Sequence, residues 1–435
     1  IVPHQEILGG RVSLQAVEGF LSEVKFEGDE LPALLRDEQA AQLKASRPLK
    51  AEVMERALLL FRAVQGFTTT SILQAADGSQ TGASVLTIQA KRKAYDVMAS
   101  IDNRGSRSIG PWQASAGAWV NGAMGFGERV GARFIMTPER ELRALQADAE
   151  WLLGAQGTGL RLIGYKGQSW PGARSSIYMI HGYTENVTAM LSHPIYLRRD
   201  TSLWTDVTLS AANSRTDMKG VLSSEDAVRV LRGTVRYTGL DPLGGAWSSA
   251  VETSRGLKGF GASDSGDRLR SRKAAEFEFL KLTIDVTREQ SFTENWSLYL
   301  SAAAQWSRDP LPSSEQFGYG GARYGRAYDP SAALGDRGAS ASVEVRYSFA
   351  PGFEGLQLMQ FYAFTSAARL FIDQHEVRQV PEWNLADMGL GLRVWGKQNF
   401  TSTFELAKPL TRRPDATATE SGRTPRSLVS MRWDF

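Results

Sequence analysis

One arginine has the clearest case for a specific chemical role. Arg326 lies near the tip of a glycine-rich segment, Leu311–Arg346, whose glycines include Gly320 and Gly321. Glycine lets a backbone bend tightly and pass close to a wall where a larger residue would clash. A guanidinium can bind a carboxylate through two parallel hydrogen bonds, and an unpaired guanidinium in a confined site is costly. We therefore expect Arg326 to have a carboxylate partner. The alternative is a solvated loop arginine, which needs none.

Glu344 is the carboxylate that the pattern places best for this pairing. The strand pattern after the loop, residues 340–349, is apolar at Val343 and at every second residue after it, and polar at the positions between, which include Glu344. Alternate residues of a strand point to opposite faces, so Glu344 lies on the polar face of the strand that directly follows the loop. Asp336 and Asp329 are looser candidates.

No residue pattern points to an enzyme. The four histidines lack the short spacing of metal ligands and lie at His4, His181, His193 and His375. No Gly-x-Ser-x-Gly elbow or P-loop is present, and no pair of carboxylates stands out for acid/base work. The chain has no cysteine, which excludes a disulfide framework and cysteine-ligated metal. A net charge of +3 gives no reason to expect nucleic acid as a partner. We expect no catalytic site, cofactor or metal.

The chain from Tyr95 to Phe435 has the two-residue periodicity of membrane-spanning strands. About sixteen segments alternate apolar and polar residues, an even number within the range of bacterial outer-membrane barrels. Three of them are predicted at residues 186–196, 202–212 and 228–237. No apolar run is long enough for a transmembrane helix. The sequence predicts a transmembrane antiparallel β-barrel over residues 94–435, with a polar lumen and with the long loop, residues 307–338, between strands eleven and twelve. We expect that loop to be ordered but without secondary structure of its own.

Residues 1–93 have a different pattern, that of one small α/β domain. A strand is predicted over residues 17–26, with Leu21 out of phase, and amphipathic helices over 30–43 and 50–64. A strand pair near 68–73 and 83–91, joined by a turn at Asp77-Gly78, completes one sheet under two helices. No signal-peptide pattern is visible, so we expect a mature or truncated chain with a residual upstream segment, residues 1–11.

Short motifs follow one another in a definite order through and beyond the loop. They are Pro312, Ser314–Phe317, Gly320–Gly321, Gly325–Tyr328, Gly335–Gly338 and Val343–Arg346. This order resembles the two-partner-secretion (TpsB) transporters, the outer-membrane exporters of haemolysins and filamentous adhesins. The resemblance implies that the loop is the sixth extracellular loop, folded back into the lumen. The family signature at its tip is Val-Arg-Gly-Tyr/Phe. Here Arg326 and Tyr328 match that signature, whereas its valine and glycine are replaced.

The family's latch residues are altered as well. In those transporters the loop arginine pairs with the Asp of a Phe-x-Asp-x-Gly motif on strand thirteen. The matching segment here is Phe364–Ala368, which has Ser366 at the Asp position. Since an Arg–Ser contact is a single weaker bond, the resemblance implies that the latch is rerouted, with Glu344 as the replacement partner and Asp336 as a looser option. Trp433 and Phe435 resemble the C-terminal signal that the barrel-assembly machinery reads.

Residues 12–90 resemble the polypeptide-transport-associated (POTRA) domain nearest the barrel in the same family. The resemblance implies a non-enzymatic translocation pore of the bacterial outer membrane, with its N-terminal domain in the periplasm. That domain would capture a secreted client protein, expected to be β-helical, which would thread through a lumen gated by the Arg326 loop. Outer-membrane lipids would surround the barrel. The alternative is an outer-membrane protein assembly or insertion factor of the same superfamily. A diffusion porin is disfavoured because residues 1–93 would have no role in one.

Overall fold

The computed structural model describes residues 17–77, 80–373, 382–414 and 421–435. The segment 1–11, His4, Gly78 and His375 lie outside these ranges. Within them, neither α-helix has the length and apolar character to cross a membrane.

The N-terminal unit is a three-stranded sheet with two helices. Its elements are β1 (Phe20–Gly28), α1 (Ala33–Ala45), α2 (Ala51–Arg62), β2 (Phe67–Ala75) and β3 (Ala83–Arg92). The strand order is β1-β3-β2, with β1 parallel and β2 antiparallel to the central strand. Leu21 is fully buried, as are Leu35 and Phe61 on the helices. The pairing of β1 shifts between Leu21 and Glu23, and this bulge explains why Leu21 is out of phase with the strand pattern.

The remaining long strands close into a barrel. They are β4 (Tyr95–Asp102), β5 (Gln113–Asn121), β6 (Arg129–Met136), β7 (Leu142–Leu152), β8 (Gly159–Ser169), β9 (Ile180–Leu197), β10 (Thr201–Met218), β11 (Val221–Leu240), β12 (Ala246–Gly256), β13 (Leu280–Ser291), β14 (Trp296–Ser307), β17 (Arg337–Phe349), β18 (Leu356–Phe371), β19 (Glu382–Gly396), β20 (Phe400–Pro409) and β21 (Arg426–Asp434). Within the described residues these sixteen strands pair antiparallel with their sequence neighbours, and β21 pairs with β4. The predicted fold class is confirmed.

Alternation along the strands separates the outer wall from the lumen. On β17, Val343 and Val345 are exposed on the outer surface, whereas Ser342 and Glu344 are buried on the inner one. Outer residues of the neighbouring β14 include Trp296 and Trp306, both exposed. A wall of this kind is apolar towards lipid and polar towards the lumen.

Two details of the barrel differ from expectation. Strands β9, β10 and β11 are longer than the predicted segments, because their polar ends continue to pair beyond the apolar alternation. The long loop also has secondary structure of its own. A 3-10 helix (Ser313–Glu315) precedes a hairpin of β15 (Phe317–Tyr319) and β16 (Ala333–Gly335). A further 3-10 helix, Ala173–Tyr178, lies between β8 and β9.

The N-terminal unit packs on the barrel turns at the end opposite to the long loop. Gln39 of α1 donates a buried hydrogen bond to the Ala155 carbonyl, 2.8 Å away, in the β7–β8 turn. Arg56 of α2 donates to the Pro194 carbonyl at 3.2 Å. Glu52 pairs with Arg198 in the β9–β10 turn at 2.6 Å. The helices therefore face the barrel turns.

Candidate functional site

The loop between β14 and β17 folds into the lumen; we call residues 308–336 the lumen loop. Its aromatic side chains Tyr319 and Tyr328 are fully buried. They belong to one apolar cluster with inward-facing residues of β18, including Tyr362 and Phe364. We call residues 319–328 the tip of the loop. The tip packs against the barrel wall through buried apolar contacts. This packing agrees with the prediction that the loop is ordered.

Two glycines of the tip are required by its backbone. Gly320 has φ +116°, and a Cβ there would overlap the carbonyl oxygen of Asp329. Gly325 has φ +69°, and a Cβ there would press on the ring of Tyr319. Both positions lie in the region of φ that L side chains rarely adopt. The tip can therefore double back on itself only with glycine at these places. Gly321 lies between them with φ +118°.

Arg326 lies in the lumen against Glu344. Its Nη2 donates a hydrogen bond to Glu344 Oε1, and the two side chains are only 7% and 1% exposed. Its Nε lies 3.5 Å from Glu405 Oε1 and donates to the Ala322 carbonyl at 3.1 Å. The guanidinium also lies over the ring of Phe364, 4.2 Å from the centroid, a favourable cation–π arrangement.

Both carboxylates at the tip have further cations around them. Glu344 also accepts hydrogen bonds from Arg346 Nε at 2.8 Å and from Arg393 at 3.1 Å. Glu405 accepts from Arg104 at 2.6 Å and from the Tyr362 hydroxyl at 2.5 Å. The wall carboxylates would therefore remain neutralised if Arg326 moved away.

Ser366 holds the backbone of the tip, and not the arginine. Its Oγ accepts the Gly325 N–H at 3.0 Å and donates to Asp387, its cross-strand partner on β19. The Asp387 carboxylate, fully buried, accepts the Ala327 N–H at 3.1 Å and the Tyr319 hydroxyl at 3.0 Å. A carboxylate is thus present beside the position where the family has its Asp, but on the next strand.

Hydroxyl groups complete the attachment of the tip. The Tyr328 hydroxyl donates to the Ala386 carbonyl at 2.7 Å. Burial, with the nearby Asp387 carboxylate, raises the pKa of the Tyr319 hydroxyl above its ordinary value. It therefore remains protonated and acts as a donor. Asp329, a looser candidate partner of Arg326, pairs with Arg426 of β21 at 3.0 Å instead.

The carboxylate of Asp336 pairs with Arg272 and not with Arg326. The prediction that Asp336 is an alternative partner of Arg326 is therefore wrong. Its fully buried carboxylate pairs bidentately with Arg272, with one N–O distance of 2.7 Å. It also accepts the backbone N–H groups of Leu311 and Asp373 at 2.8 and 2.7 Å. Arg272 comes from the β12–β13 loop. The Asp336 carboxylate thus connects the two ends of the lumen loop with the β12–β13 loop and with the loop after β18. We call the buried pair of Asp336 and Arg272, with these backbone hydrogen bonds, the base pin.

The C-terminal residues lie elsewhere, where the barrel closes. Trp433 of β21 packs against Phe400 with the two rings tilted at 43° and 5.0 Å between their centroids. The Phe435 N–H donates to the Val97 carbonyl at 2.8 Å, and Lys93 donates to the Phe435 carbonyl at 2.7 Å. They close the seam between β21 and β4, at the barrel end that carries the N-terminal unit.

The described residues include no group of three or more His, Asp or Glu side chains arranged to hold a metal ion. What the lumen loop offers is a set of ionic and hydrogen-bonded attachments to the wall, from Glu315 with Arg232 of β11 at 2.7 Å to Asp329 with Arg426 of β21. These attachments can hold or release a segment of chain.

Several residues of the site were missed by the sequence analysis. Asp387 and Glu405 both stand at polar positions of alternating strands, so their inward direction could have been read from the pattern. What the pattern lacks is the register that places Asp387 opposite Ser366. Arg272 lies in an irregular loop without periodicity, and no pattern in the sequence marks it.

Comparisons with known proteins agree with this architecture. Residues 82–394 match the family model described as haemolysin secretion/activation protein ShlB/FhaC/HecB. A similar curated protein is the heme/hemopexin transporter protein HuxB of Haemophilus influenzae strain 86-028NP, 21% identical over 94% of this chain and 73% of its own length.

Solved structures with the same fold include two proteins of one kind. CdiB from Escherichia coli has a TM-score of 0.82 at 19% identity, covering 100% of this chain and 80% of that one. CdiB from Acinetobacter baumannii has a TM-score of 0.70 at 16% identity, covering 96% and 74%. BamA from Haemophilus ducreyi, lacking POTRA domains 1–3, has a TM-score of 0.60 at 12% identity, covering 96% and 85%.

Proposed function

The chain belongs to the haemolysin secretion/activation family ShlB/FhaC/HecB, and from this premise we propose that its N-terminal unit captures a secreted partner that then passes through a lumen gated by the lumen loop. As a member of the family, the protein is a β-barrel transporter of the outer membrane that works with a secreted partner protein. The N-terminal unit would lie in the periplasm, and the long loops outside the cell.

The observation that carries the gating proposal is the position of Arg326. A segment threaded into the lumen is anchored there by a buried guanidinium, and the wall charges that receive it have alternative partners. An obstruction of this kind can be removed without leaving an unpaired carboxylate in the wall. A structural plug would have no need of such duplicated partners.

Capture by the N-terminal unit is supported by the edge of its sheet. Strand β2 is an outer strand that pairs only with β3 within the described residues, and Ile72 and Leu73 on it are about half exposed. An extended client segment could add to this edge, with backbone hydrogen bonds for affinity and side-chain contacts for specificity. The helices, which face the barrel turns, leave this edge accessible.

Deletion of residues 12–93 tests capture. The transporter is produced in an outer membrane together with a candidate secreted partner, and the secreted protein is measured in the medium. We expect the deletion to abolish secretion while the barrel remains heat-modifiable on gels, since it closes without the N-terminal unit. Secretion that survives the deletion would place capture elsewhere.

A second candidate function, membrane insertion of client proteins, is favoured by the seam of the barrel. Strands β21 and β4 pair only from Ser430↔Asp102 to Asp434↔Met98, with a few flanking bonds, whereas β20 and β21 pair from Phe400↔Trp433 to Ala407↔Arg426. A short seam can open towards lipid. Because the chain has no cysteine, Ser430→Cys with Asp102→Cys can lock it by a disulfide. We expect the oxidised variant to secrete normally; loss of secretion that a reductant restores would favour lateral insertion.

A further inference from the structure

A small sheet projects beyond the rim of the barrel. Strands β10 and β11 pair as far as Met218↔Val221. On its other side, β11 pairs with β12 only from Val230 onward, at Val230↔Gly256. Residues 221–229 of β11 are therefore the outer edge of a projecting sheet formed by β9, β10 and β11. Edges of this kind present backbone N–H and C=O groups to any strand that approaches.

The first half of the β12–β13 loop covers this edge; we call residues 257–269 the edge cover. The Glu225 N–H donates to the Leu269 carbonyl at 2.6 Å. The Ser263 N–H donates to the Ala227 carbonyl at 2.8 Å, and the Leu257 N–H donates to the Arg229 carbonyl at the same distance. These hydrogen bonds occur at every second residue of β11, as those of a neighbouring strand would, although the edge cover itself is not a strand.

The edge cover is attached by hydrogen bonds and by almost no apolar burial. All of its residues are partly or fully exposed, and Phe260 is 88% exposed. The second half of the same loop differs, because Phe277 and Phe279 are buried in a cluster with Val230. Segments with few buried apolar contacts open at the lowest free energy. The half that covers the edge can therefore leave while the other half stays in place.

The same β12–β13 loop is tied to the lumen loop. Arg272 forms the base pin with Asp336 and donates to the Leu311 carbonyl at 2.8 Å. The Glu276 N–H donates to the Pro310 carbonyl at 2.8 Å. These contacts hold the second half of the β12–β13 loop at the base of the lumen loop, and none of them is made by the edge cover.

We propose that residues 225–229 of β11 are a strand-pairing template for the exported chain as it leaves the pore. The occupant is an extended segment of the secreted partner, which replaces the edge cover and takes over its backbone hydrogen bonds with Glu225, Ala227 and Arg229. This inference rests on the proposed function, since it needs a client that emerges at this rim. Its consequence is that the transporter starts the folding of its client as well as exporting it.

Two substitutions that remove the same hydrogen bond from opposite sides test the template. The Ala227 N–H donates to Ser263 Oγ at 2.9 Å. Ala227→Pro removes the donor and disables the edge, whereas Ser263→Ala removes the acceptor and leaves the edge intact. The readout is the tagged secreted partner of the export assay above, exposed to protease at the cell surface. We expect Ala227→Pro to slow the gain of protease resistance by about tenfold, the factor of one lost hydrogen bond. Ser263→Ala should not slow it.

A reversible lock gives a second measurement. Ala227→Cys with Ser263→Cys can fix the edge cover on β11, and Ser202→Cys with Thr238→Cys is the matched control, because it joins β10 and β11 where they are already paired. We expect the oxidised lock to leave the client at the surface in a protease-sensitive state until reductant is added, and the control to have no effect.

The outcomes separate this inference from the proposed function. If the unmodified transporter exports no partner, the proposed function is wrong. If export occurs and the locked and Ala227→Pro proteins both deliver a client that becomes resistant at the normal rate, the template is wrong and the export function stands. A lock that stops export with no client at the surface would also overturn the template, because the loop would then control passage and not pairing. Heat-modifiability of each variant verifies that its barrel is folded.

Discussion

The two ends of the lumen loop are attached by opposite arrangements of charge. At the tip, Arg326 meets Glu344 and Glu405, and these carboxylates have Arg346, Arg393 and Arg104 as further partners. At the base pin, Asp336 has one salt-bridge partner among the described residues, Arg272, and is fully buried. Because the tip carboxylates have several cationic partners, Arg326 can leave them without leaving an unpaired charge. Because Asp336 has a single buried partner, the base is held more firmly.

This difference indicates how the loop could move. When Arg326 leaves, the wall retains balanced charges and the guanidinium gains water, so the electrostatic cost of breaking its ion pairs is small. When the base pin breaks, a carboxylate and a guanidinium both lose their charged partner in a buried site, which costs several kcal/mol. We therefore expect the loop to pivot on its base and release at its tip.

Breaking the base pin should have the largest effect. Asp336→Ala removes the charged partner of Arg272 and the acceptor of two backbone N–H groups. We expect a loss of about 3–5 kcal/mol of folding stability. The measurement is the temperature or urea concentration at which the heat-modifiable form is lost.

The matched control for that change is Glu382→Ala, which removes an exposed pair with Arg369 at 2.9 Å on the same half of the barrel. Exposed pairs contribute little to folding stability, because water already solvates both charges. If the two variants unfold together, the base of the loop is no more firmly held than the barrel surface, and the comparison between tip and base fails.

At the tip, the carboxylate should matter more than the arginine. Glu344→Ala leaves three guanidiniums facing one another, although Arg326 retains a nearby carboxylate in Glu405 and Arg346 retains Glu289 at 3.2 Å. It should cost about 1–3 kcal/mol. Arg326→Ala leaves every wall charge paired and should cost less, while still loosening the pore. Both variants should raise single-channel conductance and sensitivity to large antibiotics.

The double variant sharpens this prediction. Arg326→Ala combined with Glu344→Ala should be no worse than Glu344→Ala alone, because the two residues act through one contact. Additive effects would mean that Arg326 is held by Glu405 and the aromatic rings, and that the contact with Glu344 is incidental.

How much of the fold could be predicted from the sequence depends on the periodicity of apolar and polar residues. The alternation at Val343, Glu344 and their neighbours is a local property that survives in the folded chain, so strand number, loop position and wall direction follow from it. The ends of β9–β11 lie beyond the apolar alternation, because a strand that projects out of the lipid has no reason to be apolar on one face. Its pairing there is fixed by tertiary contacts alone.

The site was harder to predict than the fold for the same reason. Asp387 becomes a partner of the tip only through its register with Ser366, and register depends on the length and geometry of the turns. Arg272 reaches Asp336 across sixty-odd residues of chain from an irregular loop. Contacts between loops have no period in the sequence, so the base pin could be seen only in the structure.

The smallest net effect should come from exchanging the residues of one cross-strand pair. Ser366→Asp alone places a carboxylate directly beside Asp387, and like charges facing each other across a pair are destabilising. Asp387→Ser alone removes the acceptor of the Ala327 N–H and the Tyr319 hydroxyl. The double exchange returns one carboxylate and one hydroxyl to the pair, in the arrangement that the family has on strand thirteen. We expect each single variant to raise conductance and the exchange to restore it to nearly the original value. The contrary result is a double variant with the same raised conductance as Ser366→Asp. In that case the tip is held only when the carboxylate lies on β19, and one negative charge at the pair is not sufficient to hold the loop.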